Sequence, residues 1–186
     1  FSYMLWPSHV GAFTAVIGKH YANFDLADYP FSYIQEENGR SVLHPAMNLF
    51  TVGTIRDAAK WGKRDRRKDT KLLDLIHFPL FSPSTVGKMV RAQKAMLELY
   101  ADTPKSKKMV PMGGAYVQRL LLKTCANFYD LGIRAYLGAF IADALEHEGA
   151  LESLESARQA LTPGEPVDLN SRWTDTSGLL SPSADV

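Results

Sequence analysis

The chain has 186 residues, 46% hydrophobic and 22% charged, with a formal net charge of +1; this is ordinary globular composition, enough for one domain, or one with a segment of another, and a sizeable core. No uncharged apolar run approaches the roughly 20 residues needed to cross a bilayer, since the richest, Ala135 to Ile141, is bracketed by Arg134 and Asp143. A single cysteine, Cys125, excludes an intrachain disulfide and fits a reducing compartment, so a cytoplasmic location is expected.

The sequence begins at Phe1 rather than Met, and FSYMLWPSHVG lacks the basic start and long apolar core of a signal peptide. A preceding segment is therefore expected. Residues 1–44 read as extended and turn-rich, with Gly11 and Gly18 in HVGAFTAVIGKHY. FSYI, Asn38-Gly39 and SVLH then form a hairpin signature, because Asn-Gly between apolar runs favours a two-residue turn.

From Pro45 the period becomes helical. Met47, Phe50, Thr51, Ile55, Ala58 and Ala59 recur near every 3.6 residues, and on the other side Arg56, Lys60, Lys63 and Arg67 step by four, three and four. They form one basic stripe if the helix runs on past Gly62. Ser82-Pro83 offers an N-cap followed by proline at the first helical position, and predicts an amphipathic helix to about Ala101. DTPKSKKMVPMGG has the Pro, Gly and Lys content of a linker. A long helix is predicted from Ala115 to about Glu148, broken near Gly132, and a shorter one from Leu151 to Leu161. The expected organisation is an extended segment over 1–44, a helical domain over 45–161 and an irregular tail over 162–186. The fold class is mainly α with a short β or extended amino-terminal segment.

Chemistry concentrates in AKWGKRDRRKDTK. From Lys60 to Lys71 seven basic residues stand against Asp65 and Asp69, while nine acidic residues stand against Arg158 and Arg172 from Asp143 onward. Arg56, Lys60, Lys63, Arg64 and Arg67 are the candidate anion-binding or interface residues, since guanidinium supplies a planar fork and ammonium a point charge. The interleaved aspartates favour a solvated face or an ion-pair network over a pure phosphate patch. Trp61 is the lone aromatic in this run, which makes a single-strand nucleic-acid binder unlike it. His9 and His20 flank a glycine-containing segment without a serine or aspartate partner at triad spacing, and no Cys/His set has zinc spacing. No GxGxxG or GxxxxGK[ST] loop occurs. Cys125 in LLKTCANF reads as a packed thiol. Tyr116, Phe128, Tyr129, Tyr136 and Phe140 lie at helical spacings and read as core.

Taken together, Pro30-Phe31-Ser32, the Pro45 helix with Arg56, Lys60 and the Arg64-Asp65-Arg66-Arg67 run, and Trp173 with Gly178-Leu179 carry a resemblance. They resemble the region following the β-helix in a large bacterial family of unknown function that is similar to hexapeptide-repeat transferases. The resemblance implies that HVGAFTAVIG is the exit from a left-handed parallel β-helix. It also implies a sugar-nucleotide or acyl-transfer setting, with His9 as the best candidate base.

Three functions are therefore weighed. The first is a helical portion of a transferase-like protein, presenting an anion-binding or subunit-contact surface to a phosphorylated small molecule, a nucleotide-sugar or other chains of a homo-oligomer. The second is a non-enzymatic module assembled through its basic stripe and acidic tail. The third is nucleic-acid-backbone binding. No cofactor is identified.

Overall fold

The computed structural model describes residues 2–50, 53–68, 79–148, 153–160, 173–176 and 179–183. The chain divides into two compact units, Phe1–Gly132 and Ile133–Val186.

The first unit opens with short strands β1 (His9–Val10), β2 (Ala15–Ile17) and β3 (Asp25–Leu26), followed by β4 (Tyr33–Glu37) and β5 (Arg40–His44). The last two pair antiparallel from Tyr33↔His44 to Glu37↔Arg40. Asn38 and Gly39 both have positive φ, 52° and 77°, as a tight turn matching the twist of the strands requires. After β5 come α1 (Met47–Phe50), α2 (Thr54–Arg64) and α3 (Pro83–Asp102), then β6 (Met109–Met112), β7 (Ala115–Gln118) and α4 (Arg119–Glu148).

The expectation of a mainly helical chain leaving a β-helix is overturned. β6 and β7 arise inside the stretch predicted to be linker and helix, and they complete a five-stranded sheet of order β2-β4-β5-β7-β6. That sheet is mixed: β2 runs parallel to β4 and β7 parallel to β5, while the β4–β5 and β6–β7 pairs are antiparallel. Beside it β1 and β3 form a two-stranded parallel sheet. No β-helix is present among the described residues; the fold is mixed α and β. The physical reason lies in the period of MVPMGGAYVQ. Val110, Met112, Ala115 and Val117 are buried, alternating with partly or fully exposed neighbours as a half-buried hairpin demands. Pro111 is tolerated because β6 is an edge strand.

Gly113-Gly114 turns this hairpin and abuts the β3 segment. Gly113 sits at φ 55°, and a Cβ there would lie 2.2 Å from the Asp25 carbonyl oxygen. The Asp25 N–H donates to the Gly113 carbonyl at 2.8 Å.

β5 is buried on both faces at Ser41, Val42 and Leu43, as a central strand should be. α3 starts with a complete capping box, in which Ser82 Oγ accepts from the Thr85 N–H and Thr85 Oγ1 accepts from the Ser82 N–H, with Pro83 in the first turn. Its buried stripe Val86, Met89, Ala92 and Met96 is accompanied in the core by Leu122, Cys125, Ala126 and Tyr129 of α4.

α4 runs unbroken through Gly132, contrary to the predicted break. A Cβ at Gly132 would come within 2.5 Å of Met89 Cε and 3.0 Å of Leu49 Cδ2, so close packing selects the glycine.

The second unit holds the remainder of α4, then α5 (Leu154–Ala160) and an antiparallel hairpin of β8 (Trp173–Thr176) and β9 (Leu179–Pro182). Tyr136 and Phe140 meet edge to face at 4.9 Å. Phe140 is exposed rather than core. No helix among the described residues is long and apolar enough to cross a membrane.

Candidate functional site

The helical stretch expected from Pro45 is divided. α1 ends at Phe50, Gly53 takes φ 71°, and α2 begins at Thr54, whose Oγ1 donates to the Asn48 carbonyl at 2.5 Å. Phe50 and Ile55 are consequently exposed instead of extending one apolar face.

α2 ends at Arg64, so the basic stripe is not continuous helix to its last member. Arg56 Nε and Lys60 Nζ both donate to Asp57 Oδ1, at 3.1 and 2.7 Å. The Lys60 and then the Arg56 hydrogen bond hold the Asp57 carboxyl below the usual carboxylate range. Beyond the helix, Asp65 accepts from the Arg67 backbone N–H at 3.1 Å and from Arg67 Nε at 2.9 Å. The Arg67 side-chain hydrogen bonds, then the backbone one, lower the Asp65 carboxyl to about 2. Arg56, Lys60 and Arg67 are thus each bonded to an aspartate. Lys63 and Arg64, in the last turn of α2 where the helix dipole favours cations, are exposed. Arg66 and Lys68 are exposed as well. Asp69 and Lys71 lie outside the described residues.

Next to α2 opens a cleft of about 430 Å³ lined by Phe13, Thr14, Asn48, Thr54, Asp57 and Leu80 among others. Its polar groups are engaged in holding the fold. Asn48 Nδ2 donates to the Phe13 carbonyl at 2.6 Å, and Thr14 Oγ1 accepts from the Ser32 N–H at 3.3 Å. Asp57 in its lining is likewise engaged, by Arg56 and Lys60.

His9 stands opposite Asp25 across β1 and β3, with Nδ1 3.4 Å from Asp25 Oδ2. The imidazole is oriented, but the two side chains are 62% and 70% exposed, so water has full access to the candidate base. His20 is elsewhere and buried: its Nε2–H donates to the Ile17 carbonyl at 3.2 Å, leaving Nδ1 to accept from Ser41 Oγ at 2.9 Å. His44 pairs with Glu37 at 3.2 Å. These three histidines occupy three separate settings. No group of three or more His, Cys, Asp or Glu side chains suited to a metal occurs among the described residues.

Cys125 is fully buried, and desolvation pushes its thiol up to about 12, as a packing role implies. Pro30-Phe31-Ser32 is likewise structural. Phe31 has φ 55°, is fully buried and stacks on Phe13 at 5.0 Å.

One cationic cluster escaped the sequence reading. Lys105, Lys107 and Lys108, expected in a linker, line a cavity together with Arg119.

Comparison with known proteins gives a family match. Residues 1–100 match the family model described as a domain of unknown function, DUF4954. No curated protein and no solved structure matches. The family description names no activity and no connection to hexapeptide-repeat transferases. Because the matched residues make up more than half of the 186, the chain belongs to this family of unknown function, DUF4954.

Proposed function

We propose that the basic end of α2 and the segment following it form a subunit-contact surface, and that the acidic carboxy-terminal region of a second copy is its partner. One observation carries the reading: aspartates bond Arg56, Lys60 and Arg67, while Lys63, Arg64, Arg66 and Lys68 project as an exposed cationic group. The same chain supplies the complement, with nine acidic residues against two basic ones from Asp143 onward. Asp143, Glu146 and Glu155 are exposed there. Opposite fields of this kind steer encounter and set register more than they add raw affinity. Among the described residues acid–base chemistry would rest on the separate His9–Asp25 and His44–Glu37 pairs, so the surface, not a catalytic centre, is the leading reading.

Sedimentation velocity across salt tests it. Between about 0.01 and about 1 M salt the Debye length falls from about 30 to about 3 Å. Association at low salt that dissolves at high salt, and that weakens when Lys63, Arg64, Arg66 and Lys68 are changed to Gln, is the expected result. A monomer at every salt concentration, or an oligomer indifferent to both salt and the substitutions, overturns the proposal. So does a steep salt-dependent affinity for duplex DNA that the same substitutions abolish, because the cations would then serve a phosphate backbone.

A further inference from the structure

We infer that the cavity between the 104–108 loop and the start of α4 binds a small organic phosphate. It has a volume of about 500 Å³, within the range of roughly 300–1,000 Å³ usual for small-molecule sites. Lys105, Lys107, Lys108 and Arg119 line it, together with Met109, Gln118 and Leu120, and among the described residues no acidic side chain does.

Arg119 is what distinguishes this cluster from a solvated lysine run. It is 7% exposed. Its Nε donates to the Thr103 carbonyl at 2.8 Å and its Nη2 to the Tyr100 carbonyl at 3.2 Å, with the guanidinium 4.2 Å above the Tyr100 ring. These partners are the carbonyls that end α3, where the helix dipole is partially negative, and a π face, and none is a carboxylate. Buried charges are ordinarily paired, since desolvation is offset only by an opposite charge or a full set of hydrogen bonds. Among the described residues no carboxylate pairs with Arg119, so an anionic ligand in this cavity would meet a cation partnered by carbonyls and a ring face rather than by an acid.

The surroundings are built to hold a position. The Lys107 N–H donates to the Pro104 carbonyl at 3.0 Å, and the Arg119 N–H to the Lys108 carbonyl at 2.8 Å, which fixes the loop at both ends. Leu120 is 76% exposed beside these cations. An apolar surface at the mouth of a cationic cavity suits a ligand with an uncharged body as well as an anionic group. Phosphate suits a lining of Lys105, Lys107, Lys108 and Arg119 because ammonium and guanidinium groups donate to its several acceptor oxygens.

This site shares no residue with the basic end of α2, so it stands or falls separately. Isothermal titration of the full chain with AMP and with inorganic phosphate is the test. AMP is expected to bind saturably and more tightly than inorganic phosphate. The pair Lys107→Gln and Lys108→Gln should weaken AMP at least about tenfold, which is about 1.4 kcal/mol, with an unchanged thermal midpoint. The pair Lys63→Gln and Arg64→Gln should leave binding as in the wild type. The proposal is overturned by the absence of saturable AMP binding, by full binding in the Lys107/Lys108 variant, or by an equal loss in the α2 variant.

Discussion

The Tyr129 hydroxyl donates to the Pro30 carbonyl at 2.6 Å, joining α4 to the entry of β4 through the middle of the core. Tyr129 is fully buried, and Pro30 is buried too. Apart from Tyr129, the Pro30 carbonyl has a 3.3 Å contact from Ser32 Oγ, whose shorter bond goes to Tyr29 at 2.8 Å. Tyr129→Phe keeps the ring and removes the short bond. It should cost about 1–3 kcal/mol, the penalty for leaving a buried acceptor poorly satisfied. Urea unfolding gives the number, and a midpoint equal to that of the wild type would show that the bond contributes nothing net.

Two glycines of α4 make opposite predictions. Gly132 faces Met89 and Leu49 so closely that an added methyl must displace buried side chains, whereas a Cβ at Gly138 would meet nothing within 4 Å. Gly132→Ala should destabilise by about 1–3 kcal/mol, as overpacking does. Gly138→Ala should stabilise by about 0.5–1 kcal/mol through helix propensity. Thermal melts of the two variants that shift in the same direction would contradict this account of α4.

Alkaline pH should destabilise the protein. Burial pushes Cys125 from its usual 9.0 up to about 12 and also raises Tyr129 above its usual 10.0. Both groups stay protonated in the folded state while the unfolded chain releases their protons. Stability is therefore fully present below about pH 9 and is lost as pH rises from there toward the raised folded values. Urea midpoints between about pH 8 and about pH 11 should fall, and Cys125→Ala should make the fall shallower. A flat profile in the wild type, or identical slopes in the two proteins, would contradict the assignment.

The features legible in the sequence were those encoded locally. Asn38-Gly39 specifies its turn through positive φ at adjacent residues, and Ser82-Pro83 with Thr85 specifies the start of α3 through its own hydrogen bonds. β6 and β7 were hidden because the lysines, Pro111 and two glycines of that stretch have loop composition. What makes it sheet is the pairing of Val42 with Tyr116, a contact between segments far apart in the chain. Gly132 misled for a related reason. Propensity treats glycine as a helix breaker, and only the proximity of Met89 and Leu49 explains its place inside one. At the site, the run of cations was visible as composition. Which of them are bonded to Asp57 and Asp65 depends on where α2 stops, and this the charge pattern does not encode. Arg119 was missed because nothing in RLLLKTC signals that its guanidinium is buried without an acid.

Asp57 separates a contact role for the basic surface from a purely structural one. It lies in the first turn of α2, where a negative charge complements the helix dipole, and it binds both Arg56 and Lys60. Asp57→Asn removes that charge without changing side-chain size. If the cations of α2 and its following segment meet an acidic surface, the loss of a nearby anion raises the local positive field. Low-salt association should then strengthen even as α2 loses a favourable interaction at its amino end. If Asp57 instead holds the helix in the shape that partners require, association should weaken together with helix content. Sedimentation at low salt, paired with circular dichroism of the same sample, reads both quantities at once. Stronger association with equal or slightly lower helicity supports the contact surface, and weaker association with lower helicity sinks it.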